Sequence, residues 1–400
     1  MTPEGECVAG PLDGLLVVEM GQLIAGPFCG QLLGDMGARV IKIEPPGAGD
    51  PMREWGQGAP VWWEVIARNK QSVSLNLRAP EGQDLARRLI ARADMVIENF
   101  RPGTLEKWGM VPDRLQRDNP GLIVIRMSGY GQTGPYSDRA GFGGIGEAMG
   151  GWRRLVGDPD RPPSRMGVSI GDSLAATYGC LGALAALHRR SITGKGQIVD
   201  SALYEAVLQV MEGLIPEYAV AGTARRRSGS ILPGIAPSNV YPCSDGEYLI
   251  GGNQDTVFRR LAAAIGRPEL ADDPRYATHT ARGAHQAELD AIVADWTRAR
   301  TVAEVEQAML DHAIPAGRIY EPREMIADPH IQARDAIVDV PGTRWPGLKM
   351  QNVFPRLSGT PGRIRSPAPA EVGQHNREIY GGLLGLSDVE LAGLGERGII

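Results

Sequence analysis

The sequence predicts an α/β protein: a Rossmann-like large domain with a smaller α+β domain. Three observations carry that reading. The first half alternates short apolar runs with amphipathic stretches, a basic Gly-rich break follows, and beyond the break the strand and helix order changes. At 400 residues the chain exceeds one average domain, and 42% hydrophobic against 22% charged residues supplies an ample core.

Leu15 to Met20 reads as a buried strand, with a helix in the GPFCGQLLGDMG that follows. Arg39 to Glu44 is a second strand, closed by the loop PPGAGDPMREWG. Gln71 to Leu77 alternates like an edge or hairpin strand. Pro80 to Ala93 has helical spacing, with Leu85, Leu89 and Ile90 on one side. Met95 to Asn99 and Leu122 to Met127 are further strands. Strands separated by helices imply right-handed βαβ units and a mainly parallel sheet.

Asp172 reads as the N-cap of a long helix, SLAATYGCLGALAALHRR, which is apolar on nearly every side and ends in basic residues. Such a helix is expected to lie buried against the sheet or a partner subunit. Gln197 to Val199 and Ser201 to Leu214 predict another strand and helix. The pattern breaks at Gly222 to Gly234. A hairpin over Val240 to Gly252, turning at Asp245-Gly246, opens the smaller unit. Helices near Thr256 to Ile265, Ala284 to Trp296 and Val302 to His312 follow. From Asp339 the chain is Pro- and Gly-rich with short strands, and a last helix lies near Arg377 to Leu384.

Composition excludes several classes. A net charge of −5 argues against nucleic acid as a partner. Cys7, Cys29, Cys180 and Cys243 are too scattered for a disulfide framework or a zinc site, so no metal is expected. No apolar stretch is read as membrane-spanning and the first residues do not resemble a signal peptide, so the expectation is a cytoplasmic enzyme without a membrane partner.

Three short patterns do not hold up. Gly129-Tyr-Gly-Gln-Thr-Gly134 fits a dinucleotide loop, but a loop-like Pro135 to Arg139 follows where a helix must begin. Gly141 to Gly146 lacks a preceding strand. Gly167-Val-Ser-Ile-Gly171 has the form of a nucleophile elbow, without the oxyanion loop a serine hydrolase needs. All six histidines lie at or after His188. Chemistry in the first half must therefore use a carboxylate or hydroxyl. Asp172 is the best-placed carboxylate, and the residues alone leave it open between helix cap and catalyst.

Longer stretches are more specific. PLDGLLVVEMGQLIAGPFCGQLLGDMGARVIKIEPPGAGDPMREWG, ARNKQSVSLNLRAPEG, MVIENFRPGTLEKWGM, NPGLIVIRMSGYGQTGPYSDRAGFGG, GVSIGDSLAATYG and TGKGQIVDSALYEA resemble, in order, the family III CoA-transferases. The likeness runs from Pro11 to Leu214, and more loosely to the end through IPAGRIYEPREMIADPH. It implies transfer of coenzyme A from an acyl-CoA donor to a free carboxylic acid. CoA is then a carried substrate, and no permanently bound cofactor is expected. In that family the aspartate of the GD motif attacks the donor thioester, and the matching residue is Asp172. The resemblance also assigns CoA contacts to Ile24 and Ala25, to Leu75, Asn76, Leu77 and Arg78, and to Asn99, Phe100 and Arg101. Lys107 and the run Arg139, Ala140, Gly141 and Phe142 complete the set. Arg78, Arg101 and Lys107 suit phosphate charge.

Related alpha-methylacyl-CoA racemases use a His and Asp pair, and their histidine falls where this chain has Phe142. That favours the transferase over the racemase. A CoA-thioester binding protein without turnover is the other alternative, and it would not need Asp172. The tetraglycine loop of formyl-CoA transferase is absent; Gly251-Gly252-Asn253-Gln254 stands nearest to it. GIGEAMGG, DRPPSRMGVSIGDSLAATYG and PGIAPSNVYPCSDG look most like the branch that uses succinyl-CoA and C4 to C6 dicarboxylates: itaconate, citramalate, malate, mesaconate or hydroxymethylglutarate. Arg53, Arg68, Arg153, Arg165 and Arg225 to Arg227 are candidates for the distal carboxylate. The resemblance further implies an interlocked homodimer. Its large CoA-binding domain spans residues 1–222, its small domain 223–330, and residues 331–400 return to the large domain.

Overall fold

The computed structural model describes residues 9–400, so Cys7 lies outside the described residues. These residues form two compact units. One takes the described residues up to Trp152, with Met166–Gly222 and Gln332–Ile400. The other takes Arg153–Arg165 and Thr223–Ile331.

In the first unit β1 (Leu16–Glu19), β2 (Arg39–Glu44), β3 (Lys70–Ser74), β4 (Met95–Glu98), β5 (Ile123–Ser128) and β6 (Ile198–Ala202) form one sheet. Their order is β3-β2-β1-β4-β5-β6, and every pairing is parallel. The Gln71 stretch is thus an edge strand, and the hairpin alternative falls away. Alternation along each strand feeds two cores, as expected of a parallel sheet covered on both faces. Val18, Ile41, Val96 and Val124 pack with α3 (Pro80–Ile90) and with Ile379 and Tyr380 near the C-terminus. Val17, Val40, Ile97 and Ile125 pack with α1 (Ala25–Asp35) and α5 (Ile170–Thr193). Between these come α2 (Trp62–Ile66) and α4 (Gly143–Met149); α6 (Leu203–Leu208) follows β6.

Helix α5 lies close to the sheet because its inner positions are small. A Cβ on Gly179 would stand 2.4 Å from the Met127 Cε, and one on Gly182 2.6 Å from the Val199 Cγ1. Its outer face leaves Leu181 and Ile192 exposed. At 24 residues and a mean hydropathy of 1.3, this helix is long and apolar enough to cross a membrane, which corrects the expectation that no such stretch exists. Ala175, Ala176, Ala183 and Ala186 are buried against its own unit, although only 33% of the apolar stretch is buried. Two boundaries also move. The expected helix from Ser201 begins only at Leu203, because Ser201 and Ala202 still pair with β5, and Leu214–Ala221 is a separate helix.

The C-terminal residues are built into this unit. The Asn76 N–H donates to the Ile399 carbonyl (2.8 Å), and the Tyr380 hydroxyl to the Ser74 carbonyl (2.9 Å). Buried Arg68 bridges α1 to the strand Lys349–Gln351, pairing with Asp35 (2.6 Å) and donating to the Gln351 carbonyl (2.7 Å). Arg68→Met is expected to cost about 3–5 kcal/mol, since Asp35 would lose the cation that offsets its burial. Urea unfolding measures this, and an unshifted midpoint would refute it.

In the second unit β7 (Ser238–Pro242), β8 (Glu247–Gly251) and β9 (Ala316–Arg318) form an antiparallel sheet. The expected hairpin turn is present, with the Cys243 N–H donating to the Gly246 carbonyl. Helices α7 (Asp255–Ala264), α8 (Gln286–Arg298) and α9 (Val302–Asp311) cover it through Phe258, Leu261, Leu289, Val293 and Val305. Fully buried Arg282 binds the carbonyls of Ala236, Tyr276 and Asn253.

Candidate active site

In an open parallel sheet the strand order reverses at one point, and ligands favour the crevice beyond the strand ends there. Here that point lies between β1 and β4. A cavity of about 620 Å³ occupies this end of the sheet. Met20 and Gln22 after β1, Ile43 to Pro46 at the end of β2, Leu75 to Arg78 after β3, and Phe100, Thr104 and Trp108 after β4 line it. The loop after β3 is shaped by Asn76, whose Oδ1 accepts from the Arg78 N–H (3.1 Å). Phe100 and Trp108 meet edge-on at 5.0 Å.

The structure therefore brings Leu75, Asn76, Leu77, Arg78 and Phe100 together on one cavity. Arg101 and Lys107 are exposed and do not line it. Asn99 turns away to tie down a neighbouring loop: its side chain accepts from the Gln22 N–H (2.8 Å) and donates to the Gln22 carbonyl (2.9 Å). Beneath this loop Glu98 pairs with Arg126 (2.7 Å) and accepts from the Phe100 N–H (2.8 Å). Burial pushes the Glu98 carboxyl up to about 7 although Arg126 pulls it down. The folded chain then holds a proton that the unfolded chain releases near 4.5. Stability is expected to fall as pH rises through that window, and Glu98→Gln to flatten the fall in thermal-unfolding scans.

Asp172 is not the N-cap of its helix. Ser169 holds that place, and Asp172 is the third residue of α5, in the first turn. The helix dipole favours a negative charge there. The half-buried carboxylate lies against the start of α4: a Cβ on Gly143 would stand 2.0 Å from Asp172 Oδ2, and one on Gly171 2.8 Å from the Gly143 carbonyl. A second glycine pair compresses the loop leading into α4, where a Cβ on Gly129 would meet the Gly141 Cα at 2.9 Å. On that loop Arg139 stacks over the Tyr136 ring at 3.5 Å, while Ala140 and Phe142 are exposed. The Gly129–Gly134 run remains loop, and no helix begins before Gly143.

Ser169 and Ser173, flanking Asp172, line a second cavity of about 440 Å³. Ile24 and Phe28 of the α1 region, Met52, and Val61, Trp62, Val65 and Ile66 of the α2 region supply its apolar wall. Ala25 is buried in the first turn of α1 and is not part of this wall. Neither Asp172 nor any Arg or Lys is among the residues that line it.

Two arginine candidates for a distal carboxylate are already engaged. Arg53 is bound to Glu44 and to the Pro369 and Ala370 carbonyls, and Arg68 to Asp35. In the second unit Arg227 donates to the carbonyls of Asp158, Pro159 and Arg161. Among the described residues no group of three or more His, Cys, Asp or Glu side chains could hold a metal ion. Sequence reasoning missed the α2 wall, because five residues give no readable period, and the Gly143 contact, whose only trace is the glycine run after Phe142.

Comparison with known proteins gives the following. The sequence profile described as CoA-transferase family III matches residues 12–376. The succinyl-CoA–D-citramalate CoA-transferase of Chloroflexus aurantiacus is 58% identical over 395 residues, 98% of each chain. The succinyl-CoA–L-malate CoA-transferase beta subunit of the same organism is 41% identical, covering 99% of this chain and 100% of its own. A crystal structure of a CAIB/BAIF family protein from Brucella suis is 36% identical, covers 94% of this chain and all of that one, and superposes with a TM-score of 0.83.

Proposed function

Given that this chain belongs to CoA-transferase family III, we propose that it moves CoA from succinyl-CoA to a C4 to C6 dicarboxylate, with citramalate first among the acceptors, through a covalent intermediate on Asp172. The observation that carries this reading is the Asp172 carboxylate in the first turn of α5, seated on Gly143 with Ser169 and Ser173 opening onto an apolar cavity. The name of the 58%-identical relative supports the donor and acceptor class.

The steps balance as four acyl exchanges. An Asp172 oxygen attacks the donor thioester carbonyl, giving a mixed anhydride and expelling CoA thiolate. The thiolate attacks the Asp172 carbonyl, releasing succinate and leaving an aspartyl-CoA thioester. The acceptor carboxylate then attacks that carbonyl, forming a second anhydride and freeing the thiolate again. Attack of the thiolate on the acceptor's carbonyl yields the new acyl-CoA and restores Asp172. A carboxylate is a weak nucleophile, so binding must supply orientation, and water must be kept from the anhydride. Backbone N–H groups at the starts of α4 and α5 suit the developing oxyanions. The 620 Å³ cavity takes the nucleotide end of CoA, with Arg78 toward its phosphates; Arg101 and Lys107 are left to the outer rim, and Arg139 to Phe142 border the pantetheine.

The chain is read further as one protomer of an interlocked homodimer, with residues 1–222 and 331–400 assigned to the large domain and 223–330 to the small one, save that Arg153–Arg165 belongs to the second compact unit. Light scattering of the purified protein tests the dimer. Activity is tested with succinyl-CoA and a panel of citramalate, malate, itaconate, mesaconate and hydroxymethylglutarate, reading acyl-CoA products by mass spectrometry. Alpha-proton exchange without an acceptor would indicate a racemase, and binding without products a regulatory protein; either outcome refutes the proposal.

A further inference from the structure

Between the two cavities runs the loop from β1 into α1. Gln22 faces the larger cavity and Ile24 the apolar one. Leu23 between them has φ 64°, a left-handed backbone that a branched side chain seldom adopts unless its surroundings impose it. Besides the Asn99 amide on Gln22, a buried charge cluster beneath the loop holds it. Lys42 pairs with Asp50 (2.7 Å) and Glu19 (3.2 Å) and donates to the Gly21 carbonyl. Asp50 accepts from the Leu23 N–H (3.1 Å) and from the Met52 N–H (3.0 Å). Lys70 pairs with Glu19 (2.6 Å) and donates to the Pro27 carbonyl (2.6 Å). All four charged side chains are at most 1% exposed, and none reaches either cavity.

Two acids and two bases so placed are neutral as a set. Buried ion pairs seldom add net stability over apolar packing of the same shape; what they impose is geometry. Here the geometry is that of a loop touching the proposed nucleotide cavity on one side and the apolar cavity beside Asp172 on the other. We infer that Lys42 and Asp50 are positioning residues for CoA transfer: through the Gly21 carbonyl and the Leu23 N–H they fix the loop that keeps the nucleotide cavity and the apolar cavity in register. This rests on the reading made above, in which the larger cavity takes the nucleotide end of CoA and the apolar cavity opens beside Asp172. Burial works against the charge on Lys42, yet Asp50 and Glu19 outweigh it and hold its pKa above the ordinary lysine range, so the ammonium stays charged at working pH.

Asp50→Asn keeps an oxygen for the Leu23 N–H but turns a donor toward Lys42; Lys42→Met removes the bond to Gly21. Each full-length variant is titrated with free CoA by calorimetry, whose stoichiometry counts intact sites. Turnover with succinyl-CoA is then expressed per intact site. We expect wild-type stoichiometry with kcat per site lowered at least about tenfold, because a loop displaced by about 1 Å misaligns the reacting atoms. The double variant is expected to be no worse than the poorer single one, since the two residues act as a unit. Turnover per site within about twofold of wild type in either variant overturns the inference. So does loss of CoA stoichiometry in both, which would make the cluster a folding element only. A wild type that binds CoA but transfers none would instead bring down the reading of the cavities, and this inference with it.

Discussion

Asp172→Ala is expected to lower CoA transfer at least about 10³-fold, the scale on which removal of a covalent nucleophile acts. Intact-protein mass spectrometry after mixing with succinyl-CoA should show the wild type carrying a CoA or succinyl adduct and the variant carrying none. The fold should barely notice. Asp172 sits in the first turn of a 24-residue helix whose attachment comes from Ala175, Ala176, Ala183 and Ala186 further along. Losing a first-turn carboxylate costs about 0.3–1 kcal/mol through the helix dipole. Asp172→Asn sharpens the comparison by preserving shape while removing the nucleophilic oxygen. An adduct of the same mass on either variant would place the covalent chemistry elsewhere.

Much of the fold was legible because its strands carry period and punctuation. Val17 and Val18 read as buried strand and Val40 and Ile41 as strand from their apolar runs, and they sit in the two cores on either side of β1 and β2. The charges within those same strands were not legible. Nothing local marks Glu19, Lys42, Glu44 and Lys70 for pairing, yet they are buried because each finds a partner on another strand or loop. Pairing across the sheet is a long-range property, and no local window carries it. Arg53 and Arg68 could not be ranked among the candidates for the same reason: a lone arginine in sequence does not show the carboxylate it will meet.

The candidate site divides along the same line. The family resemblance pointed to the loop after β3 and, with the residues themselves, to Asp172 at the start of α5. Neither distinguished an N-cap from a first-turn residue, because Ser169 and Asp172 are both good caps and only the backbone decides between them. Asn99 shows the converse. Its place in a conspicuous motif suits a ligand contact equally well, but its amide is spent on both backbone groups of Gln22. One residue against the Asp172 carboxylate, Gly143, has no side chain at all.

Gly143→Ala is expected to uncouple folding from catalysis. Gly143 is the first residue of α4 and lies outside the left-handed region, so an alanine there suits the backbone and even favours the helix. Its methyl, however, would fall 2.0 Å from Asp172 Oδ2 and 3.0 Å from the Asp172 Cγ, well inside van der Waals contact. Something must yield. The backbones of α4 and α5 have little room to part, since Gly171 already faces the Gly143 carbonyl so closely that its own Cβ would stand 2.8 Å away. The short Asp172 side chain must therefore rotate, carrying the oxygens proposed as the nucleophile off the seat against Gly143. A displacement of about 1 Å at a reacting atom is worth roughly 100-fold in rate. We expect kcat to fall by about that factor while the thermal midpoint holds or rises slightly, with free CoA bound as before. Near-native turnover in Gly143→Ala would mean that this contact does not orient the carboxylate. A collapsed midpoint would mean that α4 and α5 moved in its place.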